Sequence, residues 1–520
     1  MKLTPTQDNG VEKLSKGVLQ ASLAEIAEIV SGYGFPKHLE GKTEGDLPFF
    51  KVGDISRVWN RGEKILTQAE HYISSIEAEQ LKTKVFPKGT VVFAKIGEAL
   101  KLNRRAILGQ PSIVDNNVMG LIPRQRLVES LYLYYYMLTV KLGDISQATT
   151  VPSVRKSDVE AIAVPLVPIE LQKYIVAEIE KYFSRLDEAV ASLKRVKSNL
   201  KRYKAAFLKA AVEGKLTEVW RTQHAKLEPA SKLLERILVE RRAKSTGQGK
   251  YKEPVDPDTT NLWSIPNSWS WATLEQLCPR FIDSAHRTPR YGQKGVPALG
   301  PRDVVGGRLN VIDARLVNEA EYLIQTARHV PEAGDIIYSR ELSLGWGVIL
   351  PPGARVCLSQ GMCLFRPHEV VNPRYFIIVL NGPHGRHQAE AAATGSAHPH
   401  VNLGDIKKYS IPLPPTAEQE QIVAEVERCL SVIDELKVVI EANIKRADRL
   451  RQSILEQAFS GQPVLENPNT STVSISKAPA WLENVQIQPI SMLSEYEESI
   501  QEEANTMANL IEALTSASGL

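Results

Sequence analysis

The sequence predicts an α+β protein built twice over: two globular domains in a pseudo-twofold repeat, separated by two long helices forming an antiparallel coiled coil. Three observations predict it. Segments 165–214 and 412–461, aligned without a gap, are identical at 16 of 50 positions. Each segment carries a heptad stripe of apolar residues. Each also follows a block of similar size, ~19–164 and ~270–411, in which short β-branched runs are bounded by Gly and Pro. The repeat distance far exceeds the ~20–50 residues of a solenoid unit, so each copy is a whole domain plus a connector.

The helices are the plainest element. In the first copy the stripe runs Ile175, Ile179, Tyr182, Leu186, Ala189, Leu193, Val196, Leu200, Tyr203, Phe207, Ala210. In the second it runs Ile422, Val426, Cys429, Ile433, Leu436, Ile440, Asn443, Ala447, Leu450, Ile454, Gln457. Steps of four and three alternate throughout, as a coiled-coil seam requires, and a buried amide at Asn443 or Gln457 would fix its register. Pro168 and Pro415 stand just before the helices, where a missing N–H costs nothing. Gly214 and Gly461 end them. At ~1.5 Å per residue such a helix is a rod of about 66 Å. Two related stripes in one chain bury each other most simply by pairing antiparallel; packing of each helix on its own domain is the blander reading.

The globular blocks have diverged but share a skeleton. LPFFKVGDI (47–55) resembles VPALGPRDV (296–304), which matches Pro48 with Pro297 and Asp54 with Asp303. FPKGTVVFAKIG (86–97) resembles VPEAGDIIYSRE (330–341) after a one-residue shift, and NNVMGLIP (116–123) resembles QGMCLFRP (360–367). The runs VVFAKI and DIIYS read as strands; 127–138 and 373–382 read as helices. Residues 228–242, EPASKLLERILVERR, form an amphipathic helix, and the Gly-, Pro- and charge-rich stretch after it is a linker.

Composition narrows the class. Hydrophobic residues at 43% and charged residues at 24% fit a globular protein, and no apolar run approaches a membrane span. The N-terminal stretch has no apolar signal core, and the four cysteines show no CxxC pairing, so a cytoplasmic protein without disulfides or zinc is expected. Residues 463–520 hold eight Glu and one Lys, so the net charge of +3 conceals a basic body and an acidic tail. Ser494 and Glu497 there have capping-box spacing before a partly amphipathic stretch.

Enzyme motifs fail one by one. Ser31-Gly32-Tyr33-Gly34 has the look of an S-adenosylmethionine loop, but ASLAEIAEIV before it is helical in period, whereas such a loop needs a strand. No Asn-Pro-Pro-aromatic stretch is present to hold a flipped adenine. Gly41-Lys42-Thr43 lacks the first glycine of a phosphate cradle, since position 36 is Pro. His384/His387 and His398/His400 have no further ligand at metal spacing. No catalytic or metal site is assigned.

With PLVPIELQKYIVAEIE and PLPPTAEQEQIVAEVE, GKLTEVWR (214–221) joined to 228–242, and IPNSWSWATLEQL (265–277) in this order, the chain resembles the specificity subunits of type I restriction–modification enzymes over about 1–465. The resemblance implies target recognition domains at 1–164 and 265–411 and a central helical spacer at 165–243. A linker at 244–264, a C-terminal spacer at 412–462 and the tail at 463–520 complete the division. It implies that each domain reads one half of a split double-stranded DNA sequence while the paired helices set the gap. Two methylation subunits dock on the helices, restriction subunits join, and the assembly serves phage defence. S-adenosylmethionine, ATP and Mg belong to those partners; no cofactor belongs to this chain, and no membrane is involved. A non-catalytic coiled-coil scaffold with two protein-binding domains is the alternative.

Phosphates are gripped by Lys, Arg and polar donors, and bases by Arg, Lys, Asn, Gln and small apolar contacts. Loops after strands or rich in Gly supply the DNA-binding candidates Tyr33, Lys37, His38, Lys95, Lys101, Asn103, Arg104 and Arg105 in the first domain. The second domain supplies Arg287, Arg290, Tyr291, Arg302, Arg340, Trp346, His398 and His400. The recurring Pro165, Gln172, Glu178 and Glu180, with Pro412, Gln419, Glu425 and Glu427, are candidate partner-binding positions, since both halves would meet the same subunit there. The competing reading is that they hold the helix starts.

Overall fold

The computed structural model describes residues 19–146, 151–244, 251–285, 287–395 and 397–460. Both long helices are present, Ile169–Val212 and Thr416–Phe459, each of 44 residues. Gly214 adopts φ +76°, the left-handed backbone that ends a helix at no cost only for glycine, and Pro266 lies where a Cβ would stand. The chain divides into two compact units with boundaries at Leu193/Lys194 and Ile440/Glu441, so each long helix contributes to both.

In the first unit the main sheet runs Ala27–Ser31, Val118–Pro123, Val91–Ala94, Arg105–Leu108, Ile65–Leu66. A smaller sheet places Leu47–Phe50 between His71–Ile73 and Ile113–Val114. Phe50, Val92, Leu108 and Val114 form the core between the layers, and Phe49, Ile73 and Ile113 a second one. Leu19–Ser22 pairs antiparallel with Ala163–Leu166 and closes the domain at the root of the first long helix. The aromatic helix Ser130–Thr139 lays Tyr132 and Tyr136 edge-on against Phe459, at centroid distances of 5.1 and 5.3 Å. Arg451 bonds Asp187 and covers Phe183. The beginning of one long helix therefore meets the end of the other.

The second unit repeats the plan. Arg280–Asp283, Met362–Arg366, Ile336–Ser339 and Gly347–Ile349 make the main sheet. Val296–Leu299 pairs antiparallel with Leu316–Val317 and parallel with Cys357–Leu358. Pro48 faces Tyr72 in one smaller sheet and Pro297 faces Leu316 in the other. Asp54 accepts the Lys51 N–H at 2.6 Å and Asp303 the Gly300 N–H at 2.7 Å. Both motif pairings read from sequence thus occupy equivalent structural positions. Here the helices meet in the opposite order: Tyr203 donates to Cys429, and Lys204 lies near Asp434. Within each unit the pairing is antiparallel.

The seam is buried nearly throughout, with Leu186, Leu193, Leu200, Ile433, Ile440 and Ala447 at 0% exposure and Asn443 at 5%. Gln457 is exposed, so only Asn443 places an amide in the seam. Residues 251–264, expected as free linker, have no regular structure yet are fastened to the second domain. Thr273 donates to the Val255 carbonyl at 2.8 Å, Gln276 to Asp256 at 2.9 Å, and Trp263 packs on Trp271 and His384. The acidic tail and its Ser494–Glu497 spacing lie outside the described residues.

One local expectation is corrected. Residues 21–30 are not a helix: a single turn, Leu23–Ile26, gives way to the strand Ala27–Ser31, paired from Ala27↔Pro123 to Ser31↔Met119. The apolar residues suit either period, and pairing with a buried central strand decides. A strand therefore does precede Gly32. The chain then runs into a 3-10 turn at Lys37–Leu39, and a Cβ on Gly32 would lie 2.1 Å from the Asp115 carbonyl, so backbone rather than an open phosphate cradle faces that glycine.

Candidate nucleic-acid interface

The same end of the main sheet is built alike in both units. In the first, Ser31 closes one strand, Lys95 follows another, and Lys95 N–H donates to Asn117 O at 2.9 Å while its carbonyl accepts Val154 N–H at 3.0 Å. In the second, Asp283 and Arg340 hold those places; Arg340 N–H donates to Gly361 O at 2.8 Å and its carbonyl accepts Val401 N–H at 3.0 Å. Ile96 then bridges Ser153, and Glu341 bridges His400. A basic residue is thus aimed off each sheet at an identical register.

Chemistry separates the ends. Lys95 Nζ donates to Ser31 Oγ at 3.2 Å in an exposed contact. Arg340 is 8% exposed and pairs with Asp283 at 2.6 Å, their side chains 10% and 15% exposed. Its guanidinium is committed to Asp283 at the end of the strand Arg280–Asp283, so Arg340 is corrected from a direct reader to a brace. Tyr33 joins Lys95 at the first end through its backbone bond to Val114 and its bridge to Asp115. Lys37 and His38 are exposed on the 3-10 turn beyond. Lys101 is exposed beside Glu98, and Arg104 is half-buried.

Arg105 is the clearest correction. Its side chain is wholly buried, donates to Asn103 Oδ1 at 2.7 Å and to the Arg104 and Val140 carbonyls, and lies 5.2 Å from the Phe93 ring centre. Burial lowers its pKa to about 9. Asn103 is spent on holding Arg105, so neither faces a groove.

In the second unit Arg290, Arg302 and His398 are exposed, and His400 is half-buried in a hairpin with Thr394, with 2.9 Å bonds in both directions. Arg287 is tied to the buried Glu321 at 3.1 Å. Burial works to raise the Glu321 pKa, but bonds from Gln325, the Arg287 charge and the Arg290 backbone hold it below the usual carboxylate range. Tyr291 packs on a core cluster under the Arg315 guanidinium, 3.8 Å from the ring centre. Trp346 packs on the other core beneath Arg386, at 4.5 Å. Arg287, Tyr291 and Trp346 therefore shape the loops. His384, set aside as a ligand, bonds the Ser410 carbonyl at 2.7 Å, and burial depresses its pKa. Among the described residues no group of three or more His, Cys, Asp or Glu could hold a metal ion.

The recurring helix-start residues also find partners. Gln172 and Gln419 are completely buried. Gln172 accepts from Glu129 N–H at 2.9 Å and donates to the Leu127 and Val167 carbonyls; Gln419 accepts from Asn372 N–H at 2.8 Å and donates to Pro414 O. The Pro165 and Pro412 carbonyls accept Tyr132 and Tyr375 hydroxyls, each at 2.6 Å. These four positions clamp each long helix to its own domain, and the two buried glutamines offer a partner no side-chain surface. Glu180 bonds Lys64 and Tyr135, and Glu427 pairs with Arg374 at 2.9 Å, so they too tie helix to domain. Among the described residues Glu178 and Glu425 pair within their own helices, with Lys181 and Arg428.

Sequence reasoning missed three kinds of residue. Ser31 and Asp283 set the chemistry of the sheet ends. Tyr132 and Tyr375 secure the helix roots; both sit in the aromatic helices, which was their one visible signal. Glu418, 0% exposed, accepts from Thr217 at 2.7 Å, Arg221 at 2.9 Å and Trp269 at 2.9 Å, while its repeat counterpart is Leu171.

A family model described as "Type I restriction modification DNA specificity domain" matches residues 16–202 and 303–446, more than half of the chain. The type I restriction enzyme EcoDI specificity subunit of Escherichia coli is 26% identical over 375 residues, which cover 70% of this chain and 77% of the relative. The EcoKI specificity subunit of Escherichia coli strain K12 is 24% identical over 498 residues, covering 92% and 96%. A solved chain from work on complex assembly and conformational transition of the type I R-M system aligns with a TM-score of 0.57 at 19% identity, covering 86% of this chain and 99% of its own. At that identity the likeness is one of fold.

Proposed function

Because this chain belongs to the type I restriction modification DNA specificity family, we propose that its recognition domains, 1–164 and 265–411, each read one half of a split double-stranded DNA target. A helical spacer at 165–243 and a linker at 244–264 join them, and a second spacer at 412–462 precedes the tail at 463–520. The paired helices set the gap, and methylation and restriction subunits assemble on the chain for adenine methylation and DNA cleavage. The chain itself is a non-catalytic specificity subunit, and S-adenosylmethionine, ATP and Mg act in its partners. The observation that carries this reading is that one backbone register, repeated, ends in two chemically different arrangements, an exposed lysine–serine contact in one copy and a buried arginine–aspartate pair in the other. Two unlike readers on one scaffold are what an unsymmetrical bipartite sequence requires.

Tyr33, Lys37, His38, Lys95, Lys101 and Arg104 are the proposed first reader, and Arg290, Arg302, His398 and His400 the second. Glu178 and Glu425, whose pairs lie within their own helices, remain the proposed partner contacts. The test is a methylome comparison of a host with and without this gene, supplied with the matching methylation subunit. A new split, adenine-methylated motif is the expected result; no new motif would overturn the reading.

A further inference from the structure

Leu342 follows Arg340 and Glu341 at the end of the second main sheet. Its repeat counterpart, fixed by three consecutive matches of backbone bonding, is Gly97: Lys95 aligns with Arg340, and Ile96 with Glu341. Both positions have positive φ, +78° at Gly97, where ψ is −168°, and +52° at Leu342. Glycine takes that backbone freely, whereas a leucine Cβ crowds the carbonyl oxygen. Among the described residues two other non-glycines have positive φ, Lys82 and Asn103. Each lies just past a helix, where this conformation terminates the helical turn. Leu342 ends no helix, and it is 68% exposed. It therefore carries backbone strain and wets an aliphatic side chain with no structural return.

The strain is held in place. Ser339, wholly buried, donates through Oγ to the Glu341 carbonyl at 2.8 Å and meets Ser343 Oγ at 3.0 Å. Ser343 Oγ also donates to the Pro301 carbonyl, beside exposed Arg302. Glu341 bridges His400, two residues from exposed His398. These bonds bring three chain segments together around Leu342, one contributing a cation and another an imidazole. Over-determined strain at such a convergence marks function.

We propose that Leu342 is a base-reading residue of the second recognition domain, making apolar contact with the C5 methyl of a thymine in the major groove. This rests on the DNA-reading role proposed above. Thymine is the base that presents a methyl group in that groove, and an aliphatic side chain is its complement. Arg302 supplies phosphate attraction beside it.

The test uses the full chain assembled with its methylation subunit, and duplexes carrying the split motif found in the host methylome. Each thymine is replaced singly by uracil, which removes only the methyl. The wild-type complex loses about fourfold in affinity at one such position, the worth of one buried methyl. Leu342→Asn, which tolerates the left-handed backbone, and Leu342→Gly, the residue of the first copy, bind that duplex and its parent equally. The Leu342→Gly complex melts no lower than wild type. The inference is overturned if neither half-site contains a T·A pair, if the uracil penalty persists in Leu342→Asn, or if Leu342→Gly lowers the melting temperature. If no split motif exists at all, the DNA-reading role itself fails.

Discussion

Lys95 and Arg340 occupy one position in two copies of a sheet, yet they do different jobs. Lys95 is half-buried and donates to an exposed serine hydroxyl. Arg340 is enclosed and ion-paired with Asp283, and the loop it braces carries the exposed groups instead. After duplication, the backbone ladder was kept because it belongs to the core. The pair at its edge could change, since a serine–lysine contact and an aspartate–arginine pair both satisfy it. Position in the repeat therefore identifies equivalent places, but burial decides which of their side chains meet solvent.

The largest effect that would break this comparison is in stability. Arg340→Ala removes an ion pair from a mostly buried site and should cost about 1–3 kcal/mol by denaturant unfolding. Lys95→Ala should cost less than ~0.5 kcal/mol and instead lower the salt slope of DNA binding by about 1. Equal destabilisation by both would show that the two ends are not different after all. Next, Gln172→Ala and Gln419→Ala sharpen what the copies share. Each leaves backbone groups at a buried helix root without a partner, for a loss of about 1–3 kcal/mol apiece, similar in the two. A cost confined to one of them would contradict the common clamp.

The smallest effect concerns acid. Glu77 and Glu321 sit at the same place in the helix following each smaller sheet, and both have lowered pKa values. The Lys42 hydrogen bond and the Ser74 cap bring Glu77 to about 2 from 4.5. A carboxylate depressed in the folded state stabilises above its unfolded pKa, and that contribution is lost as pH falls from 4.5 towards 2. Glu77→Gln should flatten the decline of unfolding stability across that window. An unchanged acid limb would remove Glu77 as a contributor.

Much of the architecture was legible because it rests on periodicity. Heptad spacing revealed both long helices and their seam, and Pro168, Pro415 and Gly214 bounded them closely. The strand pairs 91–94 with 336–339, and 118–123 with 362–366, were visible as alignable apolar runs. Residues 21–30 misled because Leu23, Ile26, Ile29 and Val30 satisfy a helical period as well as a strand, and only pairing with 118–123 chooses. The site was less legible. Arg105 and Gln172 look like surface groups by type, and their burial depends on carbonyls from residues 140 and 127, far along the chain.

By itself the sequence determined that the protein is a duplication, with two α+β domains and two apolar-striped helices, since repeats and hydrophobic spacing are properties of the chain alone. Only the tertiary structure decided which charged residues stay in water and which become internal braces. A guanidinium or amide carries the same donors in either place; whether they meet solvent or a buried carboxylate and carbonyl is set by segments that the fold brings together.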